Sequence, residues 1–190
     1  MSTERPAPSR RRSPQDFFDG AIEVLESDGF IALTAAGLCD RMGITRGSFY
    51  HHFASFDDFV DRLLGYWEER YTTTPVADVE ATEGDDAKRE QQLRFAQLLP
   101  HGAEAAIRAW SAVNPRVAAA QRQVDTSRRE STADQMRRHG LSDADATVFA
   151  DLAVASLIGM EQLDRPADVD KLLQVLALVQ TLIEERHLRV

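Results

Sequence analysis

The sequence predicts an all-α fold, and three observations carry the prediction. Alanine, leucine, arginine and glutamate are plentiful, and these residues lose little side-chain freedom in a helix. β-Branched residues never alternate with polar ones over a sustained run, as a half-buried strand requires. Apolar residues instead recur at three- and four-residue spacing, in segments that open on Ser, Thr or Asn and close near Gly or Pro.

Residues 1–12 come first, with Arg5 and the run Arg10-Arg11-Arg12 set among prolines. They are expected to form a flexible basic arm, which reads either as a strap along nucleic-acid phosphates or as a solubilising tail. The first helix should begin at Pro14, capped by Ser13, with Asp16 at the positive end of the helix dipole. Phe18, Ala21, Ile22 and Leu25 form its apolar stripe, widened by Phe17 and Val24, and Asp28-Gly29 closes it.

Leu33 to Phe56 (LTAAGLCDRMGITRGSFYHHFASF) is the stretch that organises the rest. Thr34 caps a short helix in which Leu38 and Met42 lie four apart, with small Cys39 beside them. Gly43 can adopt the positive φ of a tight turn, Ile44 anchors that turn, and Thr45 caps the next helix. Phe49 and Phe53 then fall on one inward face. Two short helices meeting across one glycine in this way form a helix-turn-helix, a unit that places its second helix in a DNA major groove. Tyr50 is expected at the surface because the two phenylalanines already fill the inward face. Gly47 inside a helix costs about 1 kcal/mol against alanine, so either close approach to DNA or close packing on a neighbouring helix must account for it.

Ser55 caps a fourth helix, with Asp58 in the capping-box position and Phe56, Phe59, Val60, Leu63, Leu64 and Trp67 on its apolar face. The polar, acidic stretch 73–85 is expected as a linker. Beyond it lie helices from Asp86 to Leu99, from Gly102 to Val113, from Pro115 (capped by Asn114) to His139, from Asp143 to about Leu163, and from Ala167 to His187. The last is apolar on two faces, with Val175, Leu178 and Leu182 on the second, and its predecessor carries Ala155 and Gly159 four apart. A helix apolar on two faces buries both. Either it is the central helix of its domain or it packs against a second copy, and a homodimer through the last two helices is the expectation.

The net charge of −9 speaks against nucleic acid at first sight. Its distribution does not, since Gly29 to Phe56 carries Arg41 and Arg46 against Asp40 alone. A single cysteine excludes an internal disulfide and a cysteine-based zinc cluster. His51 and His52 are adjacent on a helix and point about 100° apart, so no shared metal and no cofactor is expected. No apolar run approaches the ~18 residues of a membrane span, and the N-terminus lacks a secretory apolar core. The chain reads as a cytoplasmic protein with no membrane partner.

Residues 14–72 resemble the DNA-binding domain of TetR-type transcriptional regulators. The likeness is carried by the first helix face, Leu33-Thr34, Leu38, Gly43-Ile44 and the run Arg46-Gly47-Ser48-Phe49-Tyr50-His51-His52-Phe53 before a capped helix. The resemblance implies a repressor that binds a palindromic DNA operator as a homodimer and is released by a small-molecule effector. It also implies the division 1–12 arm, 13–72 DNA-binding domain, 73–85 linker and 86–190 effector-binding and dimerisation domain. On the family's pattern Thr45, Arg46, Gly47 and Ser48 approach base edges, with Arg46 suited to guanine. Tyr50 and His51 match positions at the backbone or groove edge, and Thr34 matches a phosphate-contacting cap. Where the family often has a lysine at the start of the fourth helix, this chain has Phe56. Candidate effector-pocket residues are Phe95, Leu99, His101, Trp110 and Met160, in an apolar site with few polar groups. Two other readings stand beside this one: a small all-α enzyme acting in the C-terminal cavity, which no nucleophile–base or carboxylate pair supports, and a helix-turn-helix scaffold that binds protein instead of DNA.

Overall fold

The computed structural model describes residues 12–164 and 166–187, and every regular element among them is helical. In chain order these are α1 (Pro14–Asp28), a 3-10 turn (Phe30–Ala32), α2 (Ala35–Met42), α3 (Arg46–His52) and α4 (Phe56–Glu68). A π-helical turn (Glu69–Thr73) leads into α5 (Thr74–Ala81), and α6 (Asp85–Leu98), α7 (His101–Ser111), α8 (Pro115–Arg138), α9 (Asp143–Leu163) and α10 (Val169–His187) complete the chain.

Most helix starts follow from local chemistry. At α1, Ser13 Oγ accepts from the Asp16 N–H at 3.3 Å while Asp16 Oδ2 accepts from the Ser13 N–H at 2.6 Å, a complete capping box. Asn114 Oδ1 accepts from the N–H groups of Arg116 and Val117 at the head of α8, where Pro115 has no N–H to satisfy. Ser142 caps α9 through the Asp145 N–H at 3.2 Å.

The expected linker is different. Residues 74–81 of the 73–85 stretch are helical, and α4, the π-turn and α5 run on as one interrupted rod. The reason lies in a stripe that its polar composition hides. Thr72, Pro75 and Val79 are buried at three- and four-residue spacing, enough to hold a short helix against the body. Pro75 cannot give an N–H to the Tyr71 carbonyl four residues back, and Arg128 Nη2 from α8 donates to that carbonyl instead, at 3.2 Å.

Two apolar clusters hold the molecule together. The larger contains Phe17, Phe18, Leu25, Leu38, Phe49, Phe53, Phe59 and Trp67 and continues without a break into Ile107, Trp110, Val117 and Val124 of α7 and α8. The helix-turn-helix unit therefore shares its core with the helices beyond it. The contact between α1 and α7 is close: the Ala103 N–H at the head of α7 donates to Glu26 Oε2 at 2.8 Å. A Cβ at Gly102 would lie 2.6 Å from the Glu26 carbonyl oxygen, so only glycine fits there. The smaller cluster joins α8, α9 and α10 through Met136, Ala146, Ala150, Val179 and Ile183.

A third region is buried but charged. Arg128 donates to both carboxylate oxygens of Glu104, at 2.9 and 3.0 Å, and through Nε to Thr72 Oγ1 at 3.2 Å. Trp67 Nε1 donates to Glu104 Oε1 at 2.8 Å. Burial works against the charge of Arg128, and Glu104 more than offsets it, so its pKa is raised further.

One expectation about membranes needs correction. By length and composition α9 is apolar enough to cross a bilayer. It is not a lone span, since it packs on α7, α8 and α10, yet only 28% of its most apolar window is buried. Val148, Leu152 and Leu163 are exposed on α9, and Leu178 and Leu182 on α10.

Removing one partner of the charged cluster leaves the other buried and unpaired. Arg128→Met should cost about 3–5 kcal/mol, whereas Glu104→Met combined with Arg128→Met should recover most of that loss. Denaturant unfolding of the three proteins checks this, and equal losses in the single and double variants would contradict it.

Candidate functional site

The helix-turn-helix is built as its sequence requires. Thr34 Oγ1 accepts from the Gly37 N–H at 3.0 Å at the start of α2. Gly43 ends that helix with φ 64°, left-handed backbone that favours glycine. The Ile44 N–H donates to the Cys39 carbonyl at 3.0 Å and closes the turn. Thr45 Oγ1 then accepts from the Ser48 N–H at 3.3 Å at the head of α3.

α3 is fixed from behind by rings. Phe49 and Phe53 are fully buried, and Phe49 lies edge-on to Phe17 at 5.8 Å and to Phe59 at 5.1 Å. Such pairs each add about 0.5–1.5 kcal/mol beyond burial. Arg62 of α4 sits over the Phe53 ring at 4.9 Å and donates to the His52 carbonyl at 3.1 Å, tying the end of α3 to α4.

The opposite edge is open. Thr34, Thr45, Arg46, Gly47 and His51 are exposed, Tyr50 is 52% exposed, and Ser48 is half-buried. The candidate contact residues at 45–48, 50 and 51 thus share one exposed edge of α3, and Thr34 stands at the head of α2. Arg46 has no ion-pair partner among the described residues. Arg41, the other basic residue of the stretch, pairs with Asp28 at the end of α1. Phe56 is half-buried, stacked on Phe49 at 6.4 Å and tilted against Phe59 at 5.7 Å, so it extends the aromatic core. Burial raises the pKa of the Cys39 thiol, with Asp40 adding to the shift, so Cys39 serves as a small packing residue. Of the basic arm only Arg12 lies among the described residues, and it is exposed.

A cavity of about 330 Å³ lies beyond the helix-turn-helix, walled by the π-turn, α5, α6, α8, α9 and α10. Phe95 and Leu99 line it; His101, Trp110 and Met160 do not. His101 is buried with Nδ1 3.0 Å from Glu161 Oε1, beneath a separate hollow between the end of α1, α7 and α9. Burial opposes its protonation, but Glu161 outweighs that and raises the imidazole pKa. Trp110 stacks on Phe30 at 6.2 Å with the planes 9° apart, a packing role between α7 and the 3-10 turn. Met160 is a buried residue of α9. The residues that sequence reasoning missed are Arg128, Tyr71 and Thr72, which line the cavity and take part in the Glu104 cluster. No short-range spacing pairs α4 with α8, so no signal in the sequence pointed to them.

Residues 17–63 match the family model of the bacterial regulatory proteins of the tetR family. A nucleoid occlusion factor, SlmA, from Marinobacter nauticus is 36% identical over 62 residues, 33% of this chain and 30% of that one, so the match spans less than a third of that relative. Over nearly the whole chain the fold is that of solved transcriptional regulators. One from Rhodococcus sp. Rha1 has a TM-score of 0.75 at 17% identity, over 92% of this chain and 97% of the other. One from Legionella pneumophila, described as a TetR regulator, has a TM-score of 0.77 at 12% identity over 90% and 96%. A third, from Saccharomonospora viridis and described in complex with choline, has a TM-score of 0.71 at 16% identity over 90% and 95%. These three are described as regulators and not as enzymes. The N-terminal domain is therefore a TetR-type helix-turn-helix domain. The chain as a whole has the fold of the TetR-type regulators.

A Cβ at Gly47 would meet only Thr45 Oγ1, at an ordinary 3.6 Å, so packing within the chain does not require glycine. Gly47→Ala should raise stability by up to about 1 kcal/mol. Thermal unfolding reads this, and a loss of stability would return the glycine to a packing role.

Proposed function

We propose that this protein is a DNA-binding transcriptional repressor that acts in the cytoplasm as a homodimer on a partly palindromic operator. The observation that carries the reading is the open edge of α3. Thr45, Arg46, Gly47, Ser48, Tyr50 and His51 stand outward on a helix locked from behind by Phe49 and Phe53. Arg46, with no ion-pair partner among the described residues, supplies a guanidinium for guanine, and Gly47 lets backbone come close to the duplex. Thr34 adds a phosphate contact. With Phe56 in place of a cation and Arg41 engaged by Asp28, phosphate affinity falls to Arg46, backbone N–H groups and the basic arm.

The effector reading rests on the cavity and on its route to α3. Tyr71 and Thr72 line the cavity and continue α4, whose other end reaches Phe49 of α3 through Phe56 and Phe59. A ligand that fits one placement of α4 better than another shifts the population, and with it the spacing of the two recognition helices in a dimer. The exposed stripe of Val148, Leu152 and Leu163 on α9 with Leu178 and Leu182 on α10 supports the dimer, because apolar faces of this kind are covered in use. Ala155 and open-faced Gly159 on α9 permit close approach.

Binding to the DNA upstream of the protein's own coding sequence, across a salt series, tests the main reading. Specific binding with a steep salt slope is expected, and Arg46→Ala should weaken it by about 1–3 kcal/mol and relax its sequence preference. Affinity no better than for random DNA would favour a protein-binding scaffold. For the dimer, Leu178→Glu together with Leu182→Glu should give a monomer in sedimentation equilibrium while leaving helicity unchanged. A variant that stays dimeric would move the interface elsewhere.

A further inference from the structure

We propose that the cavity selects an uncharged, largely apolar ligand and discriminates against both anions and cations. This deepens the effector reading above and rests on it for its regulatory meaning, though not for binding itself. The walls are aliphatic and aromatic: Val76, Val79, Phe95, Leu99, Val154 and Leu157 are among them. No carboxylate stands among the described lining residues, so a cation would lose its hydration with nothing to replace it.

Two arginines do line the cavity, and an anionic ligand would be the obvious guess from them. Both are already engaged. Arg128 gives two hydrogen bonds to Glu104, one to Thr72 Oγ1 and one to the Tyr71 carbonyl, which accounts for four of its five N–H groups. Arg89 pairs with Asp86. An incoming carboxylate or sulfonate would meet a guanidinium whose charge the buried Glu104 has neutralised, and would sit beside that second negative charge. Three further polar side chains are turned to the protein as well. Thr132 Oγ1 donates to the Arg128 carbonyl at 2.7 Å, Thr181 Oγ1 to the Ala177 carbonyl at 3.1 Å, and Gln92 Nε2 to Gln135. The Ser131 hydroxyl and the Gln92 carbonyl keep capacity for a ligand's single polar group.

Three probes with naphthalene rings test the proposal on the full chain. N-phenyl-1-naphthylamine is neutral; 1-anilinonaphthalene-8-sulfonate is the same ring system with an added anion; a trimethyl(naphthylmethyl)ammonium salt is the cation. In fluorescence and calorimetric titrations the neutral probe should bind at least about ten-fold more tightly than either charged one. Ala96→Phe, which fills the cavity, should lose about ten-fold in that affinity, and Thr181→Trp at the mouth does the same should the first variant not fold. Glu104→Gln should raise affinity for the sulfonate about ten-fold relative to the neutral probe measured on the same variant, because it frees Arg128. A charged probe that binds as tightly as the neutral one and is displaced by the filling substitution overturns the proposal. So does a neutral probe that neither cavity-filling substitution affects. A neutral probe that binds in the cavity without changing DNA affinity leaves the ligand class standing and sinks the effector reading instead.

Discussion

The Arg128–Glu104 pair is the constraint on which the relation between the two ends of this molecule depends. It is an expensive arrangement, because two charges leave water and only their mutual geometry returns the loss. Glu104 is satisfied by Arg128 on one side and by the Trp67 indole on the other. Arg128 in turn takes the Tyr71 carbonyl that Pro75 cannot serve, and the Thr72 hydroxyl. Each group therefore requires the others in place, and four segments (α4, the π-turn, α7 and α8) are fixed relative to one another by one polar cluster. An apolar contact at the same position could slide. A bidentate ion pair with directed hydrogen bonds has few acceptable geometries, so it holds these segments in one defined arrangement.

The continuous core has the same consequence. Phe17 and Phe53 belong to the helix-turn-helix, Ile107 and Val117 to the helices beyond, and all lie in one apolar cluster. The Glu26 carboxylate capping α7 and the close passage of Gly102 add a second joint between the two parts. A displacement at the cavity wall cannot be absorbed by a slack linker, because the stretch expected to be one is helical from Thr74 to Ala81. Beyond that helix lie α4 and, through Phe56 and Phe59, Phe49 of α3.

What could be read from the sequence was what short-range chemistry decides. The capping residues Ser13, Thr34, Thr45, Ser55, Asn114 and Ser142, the left-handed Gly43 and the inward pair Phe49 and Phe53 are all determined within a few residues of themselves. The open edge of α3 followed from them, since filling the inward face leaves Tyr50 and Arg46 outside. The helix over residues 74–81 escaped because its buried stripe is made of Thr72, Pro75 and Val79, two of which read as loop residues. Phe95 and Leu99 line the cavity, whereas Trp110 and Met160, which have the same composition signal, do not. His101 stands at the head of α7, and its partner Glu161 lies sixty positions away, where no periodicity connects them.

Phe56 brings these threads together. As a missing lysine it removes a phosphate contact from the start of α4. As a ring it stacks on Phe49 and joins the cluster that sets the tilt of α3 on α4. A cation at that position would hold DNA from outside while leaving the α3–α4 joint softer. An aromatic residue makes the opposite exchange: less electrostatic affinity, more rigid transmission along α4. In a protein whose net charge is already −9, the proposed DNA binding would depend more on the fit of α3 to a groove than on general attraction to the polyanion. Binding of that kind would be sensitive to a small displacement of α4, because contacts to base edges fail over distances at which a phosphate–cation attraction would persist.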